Sequence, residues 1–370
     1  MSDDEGLSIL MTTTMNALVL HAIGDARYES IPRPEPRPGC VRVRVGFCGV
    51  CNSDIPRFFG KGPYSLPLVC GHEFSGTVDC LGEGVSKFHV GNRVAVFPLL
   101  WCGECVSCER GIYAQCLNYD YLGSRSNGAM AEYVVAPERN LLRLPDSVSL
   151  EEGAVIEPAA VALHAIRRAG GCGTGESVVI FGAGPIGIMA AQWARAAGAG
   201  HVIIVDPIAR KLDLAHKLGF EYGVDPRQPD AVSAIEELTK GLGAAICIEA
   251  AGVPQALVQA MRAVRHGGRI VILGNPSADV TLPAELISRI MRHEVQIFGT
   301  WNSDYGFFRE DDDWHRTLAA MASGTIDVKH LVTHRVPLDR AFGALRMIKD
   351  QSEFYCKVLI HPEGGVNKSI

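Results

Sequence analysis

Cys102, Cys105, Cys108 and Cys116 follow the spacing C-x2-C-x2-C-x7-C, which lets one short lobe wrap a metal ion with four thiolates. Four sulfurs close the coordination shell, so the chemistry of such a site is that of a structural zinc. A disulfide cluster is the alternative, although Cys-x2-Cys neighbours sit awkwardly for clean bridges. Met1 to Glu5 carry three acids and no base, unlike an export signal, so the thiols are expected to stay reduced.

A second set of residues is capable of more. Cys51 is followed by Ser53 and Asp54, then by Gly71-His72-Glu73, and much later Glu157-Pro158 ends an apolar stretch. Cysteine, histidine and carboxylate form a mixed ligand set with an open position, which is what a catalytic zinc requires. Spacing alone leaves blander readings open. His72 reads equally as a core or surface histidine, and Glu157 as an acid entering a helix.

Gly182-Ala183-Gly184-Pro185-Ile186-Gly187 reads G-x-G-x-x-G between a predicted strand, Ser177–Phe181, and a predicted helix, Ile186–Ala197. The glycines permit a tight turn, close approach of a pyrophosphate and close helix packing, while the helix N-terminus offers free N–H groups to phosphate. Asp206 ends the next predicted strand, His201–Val205. A carboxylate there accepts both ribose hydroxyls of NAD and repels the 2′-phosphate of NADP. Asp206 also reads as a helix cap. Arg210 and Lys211 stand close enough to touch the ribose or tolerate some NADP, but NAD is the cofactor expected.

These sites need two kinds of scaffold. From residue 16 to about 150 the chain is rich in Pro, Gly and short alternating runs such as Val41-Arg42-Val43-Arg44-Val45, a β-rich, barrel-like texture. From about 175 strands alternate with helices, which predicts a parallel sheet covered on both faces. Phe354–Ile360 reads as a final strand returning to the first unit. The expected fold is therefore α/β. A β-rich catalytic domain spans 16–164 and 301–370, a doubly wound Rossmann domain spans 165–300, and residues 1–15 form a disordered extension.

Bulk composition agrees with an enzyme. The 370 residues are 47% hydrophobic and 21% charged, with a net charge of -6 that argues against nucleic acid as a partner. No run reaches the roughly 18 apolar residues of a membrane span. The chain reads as cytoplasmic.

Together, Gly49-Val50-Cys51-Asn52-Ser53-Asp54, Gly71-His72-Glu73, the four-cysteine lobe, Ile156-Glu157-Pro158 and the glycine motif resemble the zinc-dependent medium-chain dehydrogenase/reductase superfamily. The resemblance covers the chain from about residue 16 onward. It implies a GroES-like catalytic domain, NAD, and two zinc ions per subunit, one catalytic and one structural. Cys51, His72 and Glu157 become the catalytic zinc ligands, with Glu73 beside the metal and able to exchange with water. Asp54 is expected to accept a hydrogen bond from His72, and Ser53 to take the first proton, although Ser53 also suits a turn or cap. Cys51 is favoured over Cys48 because Ser53-Asp54 follow it at the family's spacing.

Ser53–Arg57, Gly71–Gly76, Tyr121–Arg125, Ala251–Gln255 and Gly299–Asn302 resemble the galactitol-1-phosphate 5-dehydrogenase subgroup more than general alcohol dehydrogenases. Pro56, standing where many relatives carry a relay histidine, fits that subgroup and pushes the relay onto water or another group. Asn52 departs from the glycine usual in polyol dehydrogenases.

The implied reaction oxidises a secondary alcohol of a polyol or polyol phosphate to a ketone. A phosphate needs cations, for which Arg57 and Arg125 are the candidates, unless both are ordinary surface arginines. Trp301 and Asn302 are candidates for lining the cleft, or for interface core. Unphosphorylated polyol, threonine and butanediol dehydrogenases, a zinc-free quinone reductase and an inactive binding protein of the same fold are the alternatives. The apolar Glu294–Thr300 edge implies a homodimer or homotetramer by analogy with the family.

Overall fold

The computed structural model describes residues 13–227 and 231–362. Six parallel strands form one sheet: β1 (Ser177–Phe181), β2 (His201–Val205), β3 (Tyr222–Val224), β4 (Ala244–Glu249), β5 (Val264–Ile272) and β6 (Gln296–Gly299). Their order is β3-β2-β1-β4-β5-β6, so the chain reverses direction between β1 and β4. β1 and β4 are buried on both faces, which is why they read as continuous apolar runs rather than alternating ones. Helices Pro185–Ala196 and Ala209–Lys217 connect the first three strands. The crevice at such a reversal is where ligands bind in doubly wound sheets.

A seven-stranded, mainly antiparallel sheet forms the β-rich part. Its central strand, Cys40–Gly49, pairs with Glu73–Leu81 and Tyr133–Pro137 and also with Lys357–His361 from the far end of the chain. That last strand completes the sheet begun by the N-terminal region, and Val332–Pro337 runs parallel beside it. A three-stranded sheet of Asp25–Pro32, Thr14–Ala22 and Leu68–Val69 packs nearby. The expected N-terminal extension therefore needs correction. Residues 1–12 lie outside the described residues, but Met15 is buried in a strand and pairs with Ile31.

Helix Ile156–Arg168 joins the two parts. Trp193 of the helix after β1 donates its indole N–H to Ala159 O at 3.0 Å. On the other side, His164 Nδ1 lies 2.7 Å from Asp313, and Arg167 donates to the same carboxylate at 2.6 Å. One apolar cluster runs from Phe97 and Leu144 through Ile156 and Ala160 to Ile188 and Val271, so the helix that carries Glu157 is embedded in a shared core.

Backbone crowding fixes the loops at the cleft. Gly71 has φ +99°, and a Cβ there would lie 2.6 Å from Cys48 Sγ and 2.9 Å from Met130 N. Gly123, at φ +79°, sits with its α-carbon against the Gly71 peptide. Ala129 N–H donates to Gly71 O at 2.9 Å, tying the two segments together. Gly123→Ala is expected to lower stability by more than about 2 kcal/mol, because the methyl both strains the backbone and separates these loops. A shift of the urea midpoint at constant slope measures it.

Candidate active site

The four-cysteine lobe is assembled by a short helix, Val106–Glu109, and the turns around it. Its Sγ–Sγ separations are 3.5 Å for Cys105–Cys108 and Cys102–Cys116, and 3.9 Å for Cys102–Cys108 and Cys105–Cys116. A disulfide needs about 2.05 Å, so the disulfide alternative is not realised. A tetrahedron with metal–sulfur bonds of about 2.3 Å has edges of about 3.8 Å, which is the size of this cage. Backbone N–H groups favour thiolate: Leu117 N donates to Cys105 Sγ at 3.4 Å, and Cys102 N to Cys116 Sγ at 3.2 Å. The Leu117 amide, followed by that of Cys108, draws the Cys105 thiol down to about 6. Burial pushes the Cys108 and Cys116 thiols up instead, so the fit to zinc rests on the geometry of the cage.

The second cluster brings Cys51, His72 and Glu73 together, with a ligand atom of each within 4.8 Å of the others. Cys51 comes from the turn after Cys40–Gly49, and His72 directly precedes the Glu73–Leu81 strand, so neighbouring strands carry the set. Glu157 stands outside this compact trio. It is buried in the first turn of its helix, where its Oε1 accepts a hydrogen bond from Tyr121 at 3.2 Å. The Tyr121 ring meets the His72 ring edge-on at 5.7 Å. His72 Nδ1 is buried without a hydrogen-bond partner, a polar orphan of the kind a ligand satisfies. A soft thiolate, an imidazole and hard carboxylates make a donor set suited to zinc.

Electrostatics reinforces the point. Burial, and then the neighbouring Glu73 charge, push the Glu157 carboxyl up to about 7. The same two causes raise the Cys51 thiol to about 12. Lys357, on the C-terminal strand, pairs with Glu73 and donates to Val50 O at 2.9 Å. Burial alone would lower the pKa of its ammonium, but the charge and hydrogen bond of Glu73, together with the charges of Cys51 and Glu157, outweigh this and leave it raised. Neither Lys357 nor Tyr121 was singled out as functional from sequence. A lysine in an apolar final strand, and a tyrosine beside a tight turn, carry no local signature.

The expected hydrogen bond from His72 to Asp54 is not formed. His72 Nδ1 lies 3.7 Å from Asp54 Oδ1, beyond hydrogen-bond range. Asp54 is already engaged: Oδ2 accepts from Cys51 N at 3.0 Å, and Oδ1 from Arg57 at 2.5 Å. Arg57 is thus bound to Asp54 rather than presented to a substrate. Ser53 occupies the N-cap position of helix Asp54–Phe59, yet its hydroxyl makes no capping bond and is exposed.

The glycine loop leaves β1 as expected. Gly184 caps helix Pro185–Ala196, and a Cβ there would meet nothing within 4 Å, so open space lies over the helix N-terminus. Gly182, at φ +106°, packs against Ala251 N, and Gly187 closes onto the Gly182 carbonyl. Ile186 is half-buried in the first turn. These glycines fit a bound pyrophosphate. Asp206 is not a helix cap. Its carboxylate accepts from Ala183 N and from Ile208 N, both at 2.8 Å, and Lys211 Nζ lies 3.6 Å away.

Among the remaining candidates, Trp301 is 58% exposed beyond β6. Asn302 turns inward at φ +55°, its Oδ1 accepting from Ser303 N at 2.8 Å, which makes it a turn residue here. Arg125 lies between the rings of Tyr119 and Tyr64, 4.1 and 4.5 Å from their centroids.

Residues 37–146 match the model of the alcohol dehydrogenase GroES-like domain, and residues 185–323 that of the zinc-binding dehydrogenases. The chain belongs to the zinc-dependent medium-chain dehydrogenase/reductase superfamily. Galactitol 1-phosphate 5-dehydrogenase of Escherichia coli (strain K12) is 35% identical over 87% of this chain and 92% of its own length. Sorbitol dehydrogenase of Bacillus subtilis (strain 168) is 33% identical over 94% and 97%. The crystal structure of the E. coli galactitol-1-phosphate dehydrogenase superposes with a TM-score of 0.88 at 34% identity, covering 94% of this chain and all of that one. A zinc-binding dehydrogenase from Sinorhizobium meliloti 1021, solved bound to NADP, gives 0.86 at 30% identity, covering 95% and 100%. This dehydrogenase is thus an alcohol or polyol oxidoreductase with a GroES-like and a Rossmann part, acting on a small-molecule alcohol. No helix among the described residues is long and apolar enough to cross a membrane.

A pH dependence follows. Because the Glu157 carboxyl titrates higher folded than unfolded, its contribution to stability is full below about 4.5 and is lost as pH rises through about 7. Metal-free enzyme should therefore melt at progressively lower temperature between pH 5 and 8. Zinc, by compensating the carboxylate charge, should remove that decline. Thermal melts after chelation and after zinc reloading measure both.

Proposed function

We propose that this dehydrogenase oxidises a secondary alcohol of a polyol or polyol phosphate to a ketone, using NAD and two zinc ions per subunit. The observation that carries the reading is the meeting of half-buried Cys51 with buried His72 and Glu73, and with buried Glu157 alongside. Cys51, His72 and Glu157 would hold the catalytic metal with Glu73 in reserve, and Cys102, Cys105, Cys108 and Cys116 the structural one. The bound metal supplies Lewis acidity and the nicotinamide accepts hydride.

The chain's own residues do the rest. Ser53, its hydroxyl free of capping duty, accepts the substrate proton and passes it on, since a hydroxyl both donates and accepts. Pro56 cannot continue the relay, so water takes over. Lys357 fixes Glu73, and Tyr121 fixes Glu157, so that both carboxylates are oriented before substrate arrives. Gly182, Gly184, Pro185, Ile186 and Gly187 shape the pyrophosphate seat. Asp206 braces the glycine loop through Ala183 N and presents negative charge where NADP would carry its extra phosphate, which supports NAD.

The exposed outer side of β6, with Ile297 42% exposed, supports pairing with a second copy of the chain. Residues suited to two metals and a dinucleotide weigh against an inactive binding protein and against a zinc-free quinone reductase.

The test is NADH formation from galactitol 1-phosphate, sorbitol, xylitol, threonine and butanediol, each with NAD and NADP. A polyol or its phosphate with NAD should be preferred, and activity confined to threonine or butanediol would overturn the proposal. Cys51→Ser should cut turnover by at least about 1,000-fold. The zinc content of that variant should fall from two per chain to one, and two retained zincs with full activity would contradict the ligand assignment.

A further inference from the structure

Arg57 and Arg125 entered as equivalent candidates for an anionic substrate group, and the structure separates them. Arg57 is neutralised by Asp54. Arg125 has no carboxylate within ion-pair distance among the described residues, and its Nε is buried without a hydrogen-bond partner. Only its Nη1 is engaged, donating to the Tyr119 carbonyl at 3.1 Å. The faces of Tyr119 and Tyr64 hold the guanidinium and offset part of the cost of desolvating it, but they supply no acceptor for its remaining N–H groups. A half-buried guanidinium lacking a counter-ion is unfavourable unless something else brings one.

Its position says what that is. Arg125 N and Ser124 N both donate to Tyr121 O, at 2.9 and 3.1 Å, so Arg125 sits in the turn that begins at Tyr121. Tyr121 in turn touches both Glu157 and His72. The turn cannot drift from the zinc ligands, because Gly123 packs on the Gly71 peptide and Gly128 N donates to Val69 O at 2.8 Å. The Tyr119 and Tyr121 rings meet edge-on at 6.4 Å, giving an unbroken aromatic wall from His72 to Arg125.

We infer that Arg125, braced by Tyr119 and Tyr64, binds an anionic group at the end of the substrate remote from the oxidised carbon, and so selects an acidic polyol over a neutral one. The shared chemistry is a tetrahedral or planar oxyanion able to accept from the guanidinium fork, supplied by a phosphomonoester or by a sugar-acid carboxylate. The inference rests on the polyol dehydrogenase reading and adds the substrate's charge to it.

Calorimetric titration of the zinc-loaded enzyme in the presence of NADH, with galactitol 1-phosphate, galactonate and galactitol, tests it without requiring turnover. One of the two anions should bind at least about 10-fold more tightly than galactitol, and which one does so names the source. Arg125→Gln should weaken that anion about 10- to 100-fold, and Arg125→Lys, which keeps the charge but not the fork, should recover part of the loss. Anion binding unchanged in Arg125→Gln, or galactitol binding as tightly as both anions, would overturn the assignment. Failure of the anion to be oxidised with NAD, despite Arg125-dependent binding, would instead count against the polyol dehydrogenase reading.

Discussion

Three groups that are negative when they bind metal, half-buried Cys51 and buried Glu73 and Glu157, are gathered around one histidine, and everything near the cleft answers to that constraint. Like charges out of water repel strongly and must be compensated or neutralised. Lys357 provides one compensating charge, delivered by a strand that pairs with Cys40–Gly49 after nearly the whole chain has been laid down. Burial, and then the uncompensated Glu73 charge, still shift Glu157 and Cys51 upward. A divalent cation is the natural counterweight, and His72 would complete its shell under the proposed ligand assignment.

The same constraint explains the architecture around the site. A ligand set held this tightly needs rigid carriers, and it has them in adjacent strands and in a helix buried in the core shared by both parts. The glycines at 71 and 123 let two backbones touch where side chains would force them apart. The cysteine lobe, although conspicuous in the sequence, stands apart from the chemistry. Its sulfur cage is closed, and the chain runs from its last cysteine, Cys116, directly into Tyr119, Tyr121 and Arg125.

Much of this was legible in the sequence because it is local. The glycine loop, β1 and β2 and the helices after them each lie within a short window whose period and punctuation specify them. The cysteine spacing is likewise self-contained, and Cys51, His72 and Glu157 became recognisable only as ordered motifs. What was not legible depends on groups that meet across the chain. Lys357 reaches Val50 and Glu73 through strand pairing, and Tyr121 reaches Glu157 through loop packing. The Asp54 expectation failed because Arg57, three residues away, takes the oxygen that His72 would have used. The expected extension over residues 1–15 ran too far, because Met15 is held in place by pairing with Ile31, a contact made across the chain.

Zinc K-edge X-ray absorption of the fully loaded enzyme addresses the central claim most directly, since it reads the donor atoms themselves. Two sites built from Cys102, Cys105, Cys108 and Cys116 and from Cys51, His72 and carboxylate predict five sulfurs shared between two zincs, at about 2.3 Å, with an imidazole signature in the outer shell. A spectrum of sulfur ligation alone, at one zinc per chain, would contradict the account by leaving the buried acids without a metal to hold.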